Sequence, residues 1–123
     1  MLKDFKDLLI AVDLVNDSKT KLGEMPDSPN DAVALFEYPM GKPNVAGLTE
    51  VGFQIRFRDL NYEACRERIW TIFGFLHGQR NLFINGNKYF LIDAIQAPSP
   101  MGGKDVKGRT EFVQNYRILL ERS

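Results

Sequence analysis

One histidine, His77, and one cysteine, Cys65, are the residues in this 123-residue chain best suited to nucleophilic or metal chemistry. A nucleophilic site needs an activated Ser, Cys or Thr with a base within reach. His77 adjoins the expected end of a helix, where a capping role accounts for it. Cys65 falls on that helix's apolar stripe, four residues before Ile69, and reads as core. A single cysteine also excludes an internal disulfide and a cysteine-rich zinc site. Gly102-Gly103-Lys104 imitates the end of a phosphate loop. That motif needs an earlier glycine and a Ser or Thr after the lysine, where Pro98 and Asp105 stand. Residues 27–31 are acidic but lack the spacing and glycine of a calcium loop. Asp93 interrupts an apolar strand, and pairing with an arginine such as Arg117, or an edge position, suits it better than catalysis. No catalytic, cofactor-binding or metal-ligating residue emerges, and no cofactor is expected.

The elements that would position any site are clearer. Val51, Phe53, Ile55 and Phe57 alternate with Gly52, Gln54, Arg56 and Arg58, the period of a strand with one buried face. Tyr62, Cys65, Ile69, Ile72, Phe73 and Leu76 then recur at helical spacing, with Asp59 or Asn61 placed to cap and Gly78 to end the helix. Residues 2–16 read as a first helix, with Phe5, Leu8, Leu9, Val12 and Val15 on one side. Residues 32–38 form a strand, and the turn-rich stretch 17–31 reads as a loop holding a short strand near Leu22. Asn85-Gly86 between two apolar runs, 82–84 and 88–95, is a hairpin turn that needs positive φ at both positions. Residues 111–120 form the last strand, with Phe112, Gln114, Tyr116, Ile118 and Leu120 on one face. Short connections make the sheet mostly antiparallel. The expected fold is a single α+β domain over residues 1–123, with about four to five strands and two helices on one face.

The other face of the sheet is mixed. Gln54, Arg56 and Arg58 make part of it wet, whereas Phe90, Ile92 and Leu119 make part of it apolar, which suits contact with another subunit. The aromatics Phe53, Phe57, Phe90, Phe112 and Tyr116 alternate along strands as packed residues do. Trp70 and Phe75 flank the second helix's main stripe and read as core or subunit packing. Two long loops, 38–49 and 97–108, remain functional candidates. Residues 99–107 combine Met101, two glycines and two lysines, which suits either a segment that orders on a partner or a mobile loop. Sixteen basic and sixteen acidic residues balance, so whole-chain charge makes no case for nucleic acid or an anionic membrane. The N-terminus lacks the basic and apolar regions of a signal peptide, and no apolar run reaches the ~20 residues of a bilayer span. Production in a cytoplasm is expected.

Four stretches carry a family resemblance. They are the amphipathic N-terminal helix; Pro26-Asp27-Ser28-Pro29-Asn30-Asp31 leading into Ala32-Val33-Ala34-Leu35-Phe36-Glu37-Tyr38; the strand from Val51 to Asp59; and Asn61-Tyr62-Glu63-Ala64-Cys65 opening a helix that ends Leu76-His77-Gly78. In that order the chain resembles the small phage tail terminators, also called tail completion or minor capsid proteins. The resemblance implies a structural, non-enzymatic protein of a phage or prophage virion, made in the bacterial host. Its members form a ring, typically hexameric, on the end of the tail tube, stopping tube growth and helping join tail to head. The implied partners are other copies of the chain, the tail tube protein and the head–tail connector, with no membrane and no sequence-specific nucleic acid. Contacts are expected from Arg56 and Arg58 on the outward strand face and from Met101, Lys104 and Lys107 on the late loop. Another neck or head–tail joining component, or a small cytosolic ligand-binding domain, are the alternatives.

Overall fold

The computed structural model describes residues 1–40 and 48–121. Most of the expected loop 38–49 therefore lies outside the described residues. The elements are α1 (Leu2–Ala11), a 3-10 turn (Asp17–Lys19), β1 (Thr20–Leu22), β2 (Ala32–Pro39), β3 (Leu48–Asp59), α2 (Tyr62–Leu76), β4 (Gln79–Ile84), β5 (Asn87–Ala94), β6 (Ser99–Pro100) and β7 (Thr110–Glu121). They form a seven-stranded sheet of order β1-β2-β3-β7-β5-β4, with β6 beside β7. Among the described strands only β1 and β2 run parallel. The α+β class and antiparallel character hold, but the expected four to five strands are too few. β6, with two residues, is too short to carry a period-two pattern, and β1, with three, barely does. β1 is the short strand expected near Leu22, whereas backbone pairing alone places β6.

Both helices cover one face. Phe5 of α1 stacks on Phe53 at 4.6 Å and meets Tyr89 edge-on at 5.1 Å. Cys65, Ile69, Ile72 and Leu76 of α2 are buried in the same cluster as Phe57, Phe112, Tyr116 and Ile118. Fully burying each such aliphatic or aromatic side chain contributes about 1.5–3 kcal/mol. Helix α1 ends earlier than the apolar spacing suggests. Asp13 takes a positive φ of 60°, which leaves the helical region and turns the chain so that Val15 re-enters the core. Asn16 then caps the 3-10 turn by accepting from the Ser18 N–H. Asn61 caps α2 by accepting from the Ala64 N–H at 3.0 Å. Asn85 and Gly86 have φ of 51° and 82°, the left-handed pair a two-residue hairpin requires.

The uncovered face is set by register. Ala34, Arg56 and Val113 are aligned across β2, β3 and β7, as are Tyr38, Gly52 and Arg117. A bulge in β5 resets the pattern, because Tyr89 opposes Leu120 while Leu91 opposes Leu119. The extra residue, Phe90, joins Lys88 and Phe83 on the open face, where the Lys88 ammonium lies 4.5 Å and 5.8 Å from their ring centroids. Phe90 is thus not packed like the other strand aromatics. Ile92, expected on the open face, is fully buried in the core.

Candidate assembly surface

The chemistry-bearing residues are occupied structurally. Cys65 is buried, and its Sγ donates to the Phe57 carbonyl at 3.2 Å. Burial pushes its thiol pKa up to about 11, so it is a thiol and not a nucleophilic thiolate at neutral pH. His77 is the C-cap residue of α2. Its Nδ1 accepts the Ala94 N–H at 3.0 Å, and its ring stacks on Phe73 at 5.2 Å. Asp93 sits between His77, at 3.7 Å, and Arg117, at 3.8 Å, with 43% of its side chain exposed. It is half-solvated and paired with the expected arginine. Among the described residues no group of three or more His, Cys, Asp or Glu is placed to hold a metal ion. No helix among them is long and apolar enough to cross a membrane.

What the fold does build is a patterned exterior. On the open face the Tyr38 ring lies over Gly52, where a Cβ would come within 2.0 Å of it. Gln54 Nε2 donates to Asn115 Oδ1 at 3.0 Å, and Arg56 Nε donates to Gln54 Oε1 at 2.7 Å. The Arg56 guanidinium also lies 4.9 Å from the Phe36 ring centroid and 3.7 Å from Glu111, leaving the side chain 32% exposed. Arg56 is therefore oriented by its own strand and its two neighbours, with one side left open.

Arg58 differs from Arg56 in setting. It is only 5% exposed, and it donates to the carbonyls of Pro29, at 2.7 Å, and Asn30, at 3.1 Å. A second buried arginine, Arg109, donates to the Asp27 carbonyl at 2.6 Å and to Asp105 Oδ2 at 2.8 Å. Lys107 bonds Asp27 Oδ2 at 2.7 Å. Together these residues tie loop 23–31 to loop 101–109 at one end of the sheet. Asp105 Oδ1 accepts from the N–H groups of Lys107 and Arg109, both at 2.9 Å. Those backbone bonds to Arg109 lead the causes that hold the Asp105 carboxyl below the usual range, although burial opposes them. The Lys107 ammonium does the same for Asp27. The turn so formed, closed by Gly108 with φ 77°, presents Val106 fully exposed and Met101 38% exposed. Lys104 is exposed on the same loop.

The structure therefore gathers Arg58 and Lys107 into one bonded region with the Met101 and Lys104 loop, and leaves Arg56 apart on the open face. Sequence reasoning missed Arg109, Asp27 and Phe83. An Asp-x-x-Gly turn at residues 105–108 was the available local signal. The partnership with Asp27, some eighty residues away, leaves no local trace.

Fold and exterior together define an α+β protein with a helix-covered core and an open, patterned sheet face. A family model described as bacteriophage tail terminator protein matches residues 8–122, and the chain belongs to that family. A solved chain from a structure titled "Virion of native gene transfer agent (GTA) particle" shares the fold, with a TM-score of 0.65 at 13% identity, over 97% of this chain and 90% of that one. No curated protein matches the sequence.

Proposed function

We propose that this protein assembles as a ring on the end of a phage or prophage tail tube, stops its polymerisation and helps join tail to head. Membership of the tail terminator family carries the reading. The fold shared with a chain of a virion particle is in keeping with it. The role is structural, with no catalytic step and no cofactor, and the protein resides in the virion after synthesis in the host cytoplasm. Its partners are other copies of the chain, the tail tube protein and the head–tail connector. A subunit that matches the tube on one side and offers no equivalent layer on the other ends a heterologous stack.

Arg56, half-exposed on the open face, is proposed to contact a neighbouring copy. Met101, Lys104 and Lys107 are proposed to meet the tube or the next subunit from the late loop. Arg58 contributes beneath them by holding the Pro29 and Asn30 carbonyls. The test is electron microscopy of purified protein mixed with growing tail tubes. Density at one tube end with arrested length is expected. Tubes of unaltered length and bare ends sink the reading. Deleting residues 102–107 is expected to abolish capping, and Arg56→Glu to impair ring formation.

A further inference from the structure

Two unlike surfaces lie toward opposite ends of the strand order, and they are complementary. At the β1–β2 side, a cleft of about 430 Å³ opens between the end of α1, β2 and α2. Its apolar contact comes from partly exposed Leu14, with Val33 and Phe57 almost wholly buried beneath, and the rest of the lining is mostly polar. Lys19 and Asp31 neutralise each other there at 2.6 Å. Asp13 and Glu67 then set two carboxylates against the single guanidinium of Arg68. At the opposite edge stands β4, which carries Phe83, the most exposed aromatic ring at 66%, with the Lys88 ammonium near it.

Backbone pairing is a poor way to use that edge. Asn81, in the middle of β4, has φ 53° and interrupts the run of strand hydrogen-bonding groups, a device that discourages strand addition. Contact through β4 must come from side chains. An exposed aromatic with a cation suits a cleft that offers the Leu14 side chain within a rim of excess carboxylate, and the cleft, over β2 and β3, lies toward the sheet edge opposite β4. A contact between two different patches is heterologous, the kind that closes into a ring when its rotation allows.

We infer that Phe83 of one copy seats in the cleft of the next, with Lys88 set against Glu67 and Asp13; this pairing rests on the ring reading above and specifies its interface. The test is sedimentation velocity of the full chain, alone and with tail tubes, with thermal unfolding of each variant as the folding control. Phe83→Asp and Glu67→Lys are each expected to weaken self-association at least tenfold while staying folded. Mixed in equal amounts, they keep one competent surface each and are expected to form dimers but no rings. Lys88→Glu is expected to weaken assembly, and adding Glu67→Lys to the same chain to restore it at least tenfold. Wild-type rings from folded Phe83→Asp, or no recovery in the charge-swapped chain, overturn the pairing. So does a wild-type chain that stays monomeric both alone and on tubes. Phe83→Asp rings that still cap tubes remove the pairing and leave the tail-end role standing. Rings built through this pair that leave tubes bare remove the role and leave the pairing standing.

Discussion

Asp4 is a carboxylate only 6% exposed at the start of α1. Burial by itself would raise its pKa. Hydrogen bonds from the Tyr89 hydroxyl at 2.5 Å, Asn87 at 2.8 Å and Asn85 at 3.0 Å outweigh that effect, and the net shift is downward. The folded value thus lies below the unfolded one of about 3.9. Such a group stabilises the fold fully above the unfolded pKa, and the contribution is lost as pH falls through the folded one. Asp4→Asn is expected to cost about 2–3 kcal/mol at pH 7, since it weakens charge-assisted bonds to buried donors. Urea unfolding near pH 7 and near pH 2.5 measures it. The gap between variant and wild type should narrow in acid, and an unchanged gap refutes the role given to the charge. Cys65 supplies a second residue-level expectation. Its buried thiol, with pKa about 11, should resist alkylation at pH 7.5 until the protein unfolds. Labelling should then follow the global unfolding curve in urea, and rapid labelling of native protein counts against the packing described.

Across β2 and β3, Gly52 and Tyr38 form one packed unit, because the tyrosine ring occupies the space a Cβ at position 52 would need. Gly52→Ala must therefore displace the ring from the sheet, a clash costing about 1–3 kcal/mol. In a Tyr38→Ala background the same change meets no ring and should be near neutral, or stabilising by about 0.5–1 kcal/mol, since Ala restricts a strand better than Gly. A double-mutant cycle on denaturant unfolding reads the coupling directly. Equal costs in both backgrounds rule the steric account out. Locally determined elements like these were legible from sequence. The Asn85-Gly86 turn, the Asn61 cap and the buried faces of β3 and β7 each follow from a few adjacent residues. The end of α1 at Ala11 did not, since Val12 and Val15 continue a helical spacing past the Asp13 turn that breaks it. Nor did the β5 bulge: Phe90 faces outward as its alternation with Tyr89 suggests, but the register shift that follows turns Ile92 into the core, and no alternation signals it. Arg56 and Arg58 look alike in the pattern. Only a chain segment some twenty-eight residues upstream makes one an open surface group and the other a buried brace.

At the scale of the whole molecule, stability should be uneven in a way the bonding predicts. β3 and β7 pair along twelve residues at the centre of the sheet, whereas loops 23–31 and 101–109 are tied to each other largely through side chains. Arg109 is central to that tie, with contacts to Asp27 and Asp105. Removing it leaves Asp27 77% exposed and already able to find water, so the penalty of an orphaned buried charge does not arise. The loss should be confined to the bonds themselves, about 1–3 kcal/mol. Local opening free energies differ across one protein, and hydrogen exchange resolves them. Arg109→Ala is expected to speed amide exchange in residues 23–31 and 101–108 together while leaving β3 and β7 at wild-type rates. Faster exchange in the late loop alone would mean that the two loops are not one unit. The coupled outcome has a consequence for assembly. If Val106 and Met101 dock as a preformed tip, loosening the tie adds an ordering cost to binding, and Arg109→Ala should cap tubes more weakly than wild type although every exposed side chain of the tip is unchanged.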